Sequence, residues 1–190
     1  MRDVLEIRPV SAADGRAMLQ VLGDPLVAAW LRGAGESGPF TLAECEARAA
    51  RNAAHWQAHG FGSSLAFQGE RCVGRAVLAH TLVAGRAELE IGWAVASDMW
   101  GQGLATQLGA HALQCATAAG FERVVAFTRV ENVASRRVME KLGLRQEREF
   151  SHHGLPHVLY ASRPAMSEAV IWPENMSPSS ITPRNSSALR

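Results

Sequence analysis

"WGQGLATQLGAHAL" (residues 100–113) sets Gly101 and Gly103 directly before a helical pattern. Glycine inside a regular element costs about 0.5–1 kcal/mol relative to alanine, so bare backbone at this point asks for a reason. The stretch lies between a strand pattern ending near Val95 and a helix pattern starting near Leu104. A helix N-terminus there would present unpaired N–H groups and the positive end of its dipole, which suits an anion, phosphate above all. A tight strand-to-helix connection without a ligand would use the same residues. Two phosphate motifs can be tested against it. Walker A fails, because the chain contains no GK[ST]. The dinucleotide fingerprint fails at Thr106, where its third glycine belongs. The acid at the right spacing, Glu122, stands before the next strand instead of after it. A dinucleotide-binding α/β domain is therefore the poorer reading.

Working outward, "VLEIR" (4–8) reads as a strand. A helix over 11–22 has Ser11 as its expected N-cap and Asp14 three residues on, and a second short helix follows Asp24-Pro25 to about Arg32. Residues 32–39 read as loop, and 41–60 as a helix with a Thr41/Glu44 capping box and Gly60 as its stop. "FGSSLAFQ" and "CVGRAVLAHTL" flank "GER" as a hairpin, and "AGR" (84–86) turns into "AELEIGWAV" (87–95). A helix over 104–120 shows a rough apolar face of Leu104, Leu108, His111, Leu113 and Cys115. A buried-type strand (123–130), a helix (132–143) opened by Asn132 and closed by Gly143, and a last hairpin across "HHGLP" complete the order. The sum is a mixed α/β sheet in one domain over residues 1–163. From 164 the Ser/Pro/Asn-rich remainder reads as a disordered tail.

Composition restricts the partners. The 190 residues carry a net charge of +1 with 47% apolar and 19% charged residues, which provides no basic surface for nucleic acid and reads as soluble. No apolar run approaches the roughly 20 residues of a membrane span. Three scattered cysteines without a CxxC argue against a disulfide framework or a thiolate zinc site and point to a reducing, cytoplasmic compartment.

"VASDMWGQGLAT" (95–106) resembles the acetyl-CoA loop of the GNAT N-acetyltransferase superfamily, whose signature is Q/R-x-x-G-x-G/A; Gly103 and Ala105 match, and Trp100 stands at the Gln/Arg position. Trp-Gly at this place is typical of the RimJ/RimL-type branch. "HWQAHGFG" (55–62), "LEIGW" (89–93), "ENVASRRVMEKLGL" (131–144) and "HVLYA" (157–161) resemble further segments of that branch, in order, so the likeness spans roughly 5–163. The resemblance implies a strongly twisted central sheet of about 6–7 strands flanked by helices. It implies transfer of an acetyl or other acyl group from acetyl-CoA to a primary amine by direct attack. Partners would be acetyl-CoA and an amine acceptor, with neither nucleic acid nor membrane involved, and the chain a monomer or homodimer.

The resemblance also assigns residues. Backbone of Trp93, Ala94 and Val95 would flank the acetyl-pantetheine arm, and Gly101, Gln102, Gly103, Leu104, Ala105 and Thr106 would surround the pyrophosphate with N–H groups. Asn132 would bond the pantetheine or thioester region, Ser135 would lie near the sulfur, and a strand N–H near Val95 would hold the oxyanion. Arg136 or Arg137 could reach a CoA phosphate or merely be solvated. Attack needs a neutral amine, and an α-amino group (pKa about 8) needs less help than a lysine (about 10.4). Strand alternation puts Glu88, Glu90 and Gly92 on one face, with Glu90 nearer the expected active end and hence the base; a solvated pair is the alternative, above all for Glu88. The tyrosine that many family members place seven residues after the asparagine is here Met139, so Ser135 becomes the candidate acid. That gap also motivates a second reading, a non-catalytic acyl-CoA-binding or sensor protein.

Other features carry less. His55 and His59 stand i, i+4 on a helix, but no glutamate follows His55 and no third ligand is evident, so no metal is expected. "SHHGLPH" (151–157) reads as a substrate-facing or solvated turn. Trp30, Trp56, Trp93 and Trp100 read as core or junction aromatics, with Trp100 able to shield the cofactor. Ser63 and Ser64 stand near a position where the branch carries a bulky aromatic, which would enlarge the acceptor pocket or alter packing.

Overall fold

The computed structural model describes residues 5–162, so the stretch read as a tail lies outside the described residues. Seven strands and five α-helices follow in the order β1 (Leu5–Pro9), α1 (Gly15–Leu22), α2 (Pro25–Leu31), α3 (Leu42–His59), β2 (Ser64–Gln68), β3 (Arg71–Val83), β4 (Arg86–Val95), α4 (Leu104–Ala118), β5 (Val125–Arg129), α5 (Val133–Lys141), β6 (Arg145–His152) and β7 (Leu155–Ala161). A single 3-10 turn, Ser97–Met99, joins β4 to the glycine loop. No helix among the described residues is long and apolar enough to cross a membrane.

The strands form one sheet in the order β1-β2-β3-β4-β5-β7-β6. Every neighbouring pair is antiparallel except β4 and β5. Alternation along the strands gives the sheet two apolar faces. Leu89, Ile91 and Val95 of β4 pack with Leu104, Leu108, Ala112 and Ala116 of α4 and Met139 of α5. Ala94 faces the other way, with Leu65 and Phe67, onto Met18, Val21 and Leu22 of α1 and Cys45 and Ala49 of α3. The fully buried stripe of α4 therefore runs i, i+4 through Leu104, Leu108, Ala112 and Ala116, with Leu113 and Cys115 half-buried at its edge. Gly109 belongs to it because a Cβ there would lie 2.5 Å from Leu142 Cδ1 and 2.9 Å from Trp93 Cε3.

Several local expectations shift. Helix α1 starts at Gly15, not after Ser11. The Asp14 carboxylate accepts from the Ser11 N–H (2.7 Å) but is held by Arg8 (2.7 and 2.8 Å), which keeps the preceding residues in a turn. Helix α3 has its capping box and ends on Gly60 at φ 72°. The last hairpin turns on His153 and Gly154 alone, because His152 pairs with Leu155. Ser63 and Ser64 are buried in the sheet: Ser63 O accepts from the Trp56 indole (2.7 Å), and Ser64 Oγ lies 3.4 Å from His111 Nε2. Neither lines the large cavity described next.

Candidate active site

The parallel strands β4 and β5 pair in register only at Glu90↔Val125. Beyond Glu90 they diverge, and a cavity of about 740 Å³ fills the gap. Its wall draws from both faces of the sheet: Leu22, Val27 and Phe40 from one side, Leu104, Asn132 and Met139 from the other. A space that passes through the sheet lets two molecules meet end to end, one from each face.

The free end of β4 offers main-chain groups to this space. Ala96 N–H is spent on Val73 O (3.0 Å). By alternation the N–H and C=O of Val95 point to the opposite edge, where β5 has moved away. The Val95 carbonyl there accepts the Trp100 indole N–H at 2.8 Å. Trp100 is half-exposed and thus pins the glycine loop to the strand end instead of filling a core.

Gly101 and Gly103 have φ of 77° and 81°, and a Cβ on either would meet nothing within 4 Å. Conformation, not crowding, requires glycine here, since left-handed backbone is costly for other residues. Gly103 is the N-cap of α4 and no side chain caps the helix, so its first N–H groups are left for a ligand. Thr106 is the exception among the expected donors, because its N–H already bonds Gly103 O at 3.1 Å. Trp93, Ala94, Val95, Gly101, Gly103, Leu104, Ala105, Thr106, Asn132 and Ser135 all line the cavity, and Gln102 does not. The Gln102 side chain folds back to Asp98 O (3.4 Å).

On the opposite wall, Asn132 caps α5 by accepting from the Ser135 N–H (3.1 Å), which leaves its amide Nδ2 to donate elsewhere. Ser135 stands in the first turn of α5, on the cavity wall. Arg136 turns away to Val130 O (3.1 Å) and the Tyr160 hydroxyl (3.4 Å), whereas Arg137 and Lys141 line the cavity, one turn apart. Tyr160, the chain's one tyrosine, is sealed at 2% exposure and donates to Glu140 (3.1 Å).

Glu88 and Glu90 share a strand face but differ in surroundings. Glu88 is buried against Arg123 (3.0 and 3.1 Å), which also holds Glu147 (3.0 Å); it is neither solvated nor on the cavity. Glu90 is buried and lines the cavity from the α1–α3 side. Of the rest of that wall, sequence reasoning offered only the "SHHGLPH" turn, as substrate-facing or solvated, and missed Trp30 and Phe127. Trp30, read as core or junction, stands 38% exposed on it, joined by Phe127, His152, His153 and His157. Its upper edge is closed where Arg129 Nη2 donates to Arg32 O (2.6 Å) and Ala34 N–H to His153 O (2.9 Å). Burial pushes the His157 imidazole below its ordinary range, and its Nδ1–H donates to Leu155 O (2.9 Å), so Nε2 keeps a lone pair. The signal for this wall was the His-rich "SHHGLPH", whose direction no periodicity could reveal.

Residues 5–145 match the family model described as an acetyltransferase (GNAT) domain. The chain belongs to the GNAT acetyltransferase family. Acetyl-CoA is the co-substrate of GNAT acetyltransferases, and the positive-φ glycine loop with its uncapped helix suits the pyrophosphate of that molecule. Among solved structures, this GNAT chain is similar to an acetyltransferase (GNAT family) from Bacillus anthracis at 25% identity and TM-score 0.66, covering 85% of this chain and 95% of that one. It is also similar in fold to yncA from Salmonella typhimurium, solved with its cofactor acetyl-CoA, at 21% identity and TM-score 0.64, covering 83% and 92%. Mycobacterium smegmatis RimJ, in complex with CoA-disulfide, has the same fold at 23% identity and TM-score 0.65, covering 84% and 82%. Among curated protein sequences none matches significantly.

Proposed function

We propose that this GNAT protein acetylates a primary amine, the α-amino group of a peptide in the manner of the RimJ/RimL-type branch, by direct attack in a ternary complex. The opening between β4 and β5 carries the reading, because it joins the glycine loop on one face to a buried carboxylate, Glu90, on the other. Acetyl-CoA supplies the thioester carbonyl and the thiolate leaving group when bound. The N–H groups from Gly101 to Ala105 would hold its pyrophosphate, with Arg137 and Lys141 near enough to the rim to meet a further phosphate. Trp93, Ala94 and Asn132 would position its arm. Val95 N–H would donate to the developing oxyanion, where a preorganised donor is worth roughly 10²–10³ in rate. Glu90 would take the amine proton, directly or through a water, and Ser135 would donate to the departing sulfur. An α-amino group fits this machinery better than a lysine because it releases its proton about two pH units sooner.

One observation favours a second reading for the base: the Nε2 lone pair of buried His157 on the same wall. The test is CoA release with acetyl-CoA and a panel of short peptides bearing free or blocked N-termini, lysine side chains, and polyamines. Turnover with free N-termini and intersecting initial-velocity lines support the proposal. Turnover confined to polyamines or lysine side chains overturns the acceptor assignment. Tight acetyl-CoA binding without turnover on any amine supports a sensor in place of an enzyme, which Met139 at the tyrosine position first suggested.

A further inference from the structure

Outside the cleft, three histidines converge at the end of α3. His55 and His59 lie one turn apart in the last turns of α3, and His80 comes from β3 opposite Leu89, on the strand face that carries Ala76 and Leu78. None of the three lines the large cavity. One ring nitrogen from each lies within 4.8 Å of the others, and the rings are 4.5, 4.9 and 5.3 Å apart by centroid. The expectation of no metal rested on the i, i+4 pair lacking a third histidine nearby; the fold brings one from a distant strand.

The details suit a cation better than a stack of rings. His55 Nδ1 lies 2.9 Å from Phe61 O, and only an N–H can make that bond, so the proton sits on Nδ1 and Nε2 carries the lone pair. A histidine whose other nitrogen is tied to a backbone carbonyl is the usual arrangement behind a metal ligand, since it sets tautomer and ring orientation. His55 Nε2 stands 3.3 Å from His80 Nδ1. In a tetrahedral site with metal–nitrogen bonds of about 2.0–2.1 Å, neighbouring nitrogens are about 3.3 Å apart. Phe61 and Phe121 wall the group edge-on, with Phe61 at 5.2 Å from His55 and Phe121 at 5.9 Å from His80 by centroid. The three imidazoles are each half-buried, so a further position of the site can be reached from solvent.

We propose that His55, His59 and His80 form a binding site for a late first-row divalent cation, zinc in the first instance, that clamps the end of α3 to β3. Three imidazoles with no thiolate match the borderline softness of zinc and leave a fourth position for water. The clamp is structural, since the cluster is separate from the acetyl-transfer cavity.

The test uses the full-length chain without a purification tag, stripped with EDTA and titrated with Zn²⁺ by calorimetry and with Co²⁺ by visible absorption. One equivalent of Zn²⁺ should bind, Co²⁺ should give the intense bands of a four-coordinate site, and a hundredfold excess over Kd should raise Tm by about 5 °C or more. His59→Ala, at the partly exposed position, should weaken binding more than ~100-fold, beyond the loss typical for outer-shell changes. The Tm of its metal-free form should match that of the metal-free wild type. His59→Gln serves if the alanine variant misfolds. The double variant His152→Ala/His153→Ala should bind as tightly as wild type. Absence of saturable binding, affinity retained within threefold in both His59 variants, or loss of binding in the His152/His153 variant would each overturn the proposal.

Discussion

Two carboxylates two residues apart on β4 show how burial alone fails to define a role. Glu88 and Glu90 are both buried, yet one faces guanidinium and the other the cavity. Glu88→Gln should cost about 3 kcal/mol of stability, because Arg123 is left with reduced compensation in a buried place, while kcat per folded molecule stays within about twofold. Urea unfolding alongside active-site-normalised turnover checks this. Glu90→Gln should do the opposite: kcat falls roughly 10²-fold and the acidic limb of the pH–rate profile disappears, with acetyl-CoA affinity unchanged. If instead His157→Gln removes the acidic limb of the pH–rate profile and Glu90→Gln leaves it, His157 is the base. Trp100→Phe should raise the Kd for acetyl-CoA about fivefold through loss of the indole bond to Val95 O, without a change in the pH profile. The alternation that paired Glu88 with Glu90 was legible in "AELEIGW"; their different neighbours were not, because Arg123 arrives from beyond α4.

Among the elements, α4 bears the most constraint. Its N-terminus is held open by Gly103 in left-handed backbone, and its middle approaches β4 and α5 through Gly109. Gly103→Ala should cost about 1–2 kcal/mol from backbone strain and weaken acetyl-CoA binding, although no neighbour obstructs the methyl group. Gly109→Ala should cost about 1–3 kcal/mol by overpacking against Leu142 and Trp93, with less effect on binding. Thermal melts with and without acetyl-CoA separate the two, since ligand rescues the second more than the first. The two glycines of the loop announced themselves in sequence; Gly109 did not, because Leu142 and Trp93, which crowd it, come from other elements. The boundaries of α3 and α5 were readable because Thr41/Glu44 and Asn132 supply their own caps within a few residues. The start of α1 was not, because Ser11 and Asp14 have the spacing of a cap while Asp14 is claimed by Arg8.

Across the whole molecule, two ion pairs tie the α1–α3 side together, and both set a response to acid. Arg8 holds the Asp14 carboxyl at about 2, and Arg32 holds that of Glu44 at about 2, against ordinary values of 3.8 and 4.5. Groups depressed in the folded state stabilise it above their unfolded values and lose that contribution as pH falls through the folded ones. The urea midpoint should therefore leave its plateau below about pH 6.5, where His80, His55, His111 and His157, all pushed down by burial, take up protons on unfolding, and fall further between about 4.5 and 2 as the two carboxyls protonate. The double variant Asp14→Asn/Glu44→Gln should lower the plateau and flatten the decline. The sequence by itself determined what is local: element order, helix caps, the glycine loop, the register of Asn132 and Ser135 behind it, and through these the GNAT family. Periodicity and capping act within a few residues, so a linear reading captures them. Only the tertiary structure decided that β4 and β5 part beyond Glu90, that Glu88 is bound to Arg123, that "SHHGLPH" turns onto the cavity, and that His80 joins His55 and His59. Each is a meeting of segments far apart in the chain, set by how the sheet packs its two faces, and no local pattern encodes it.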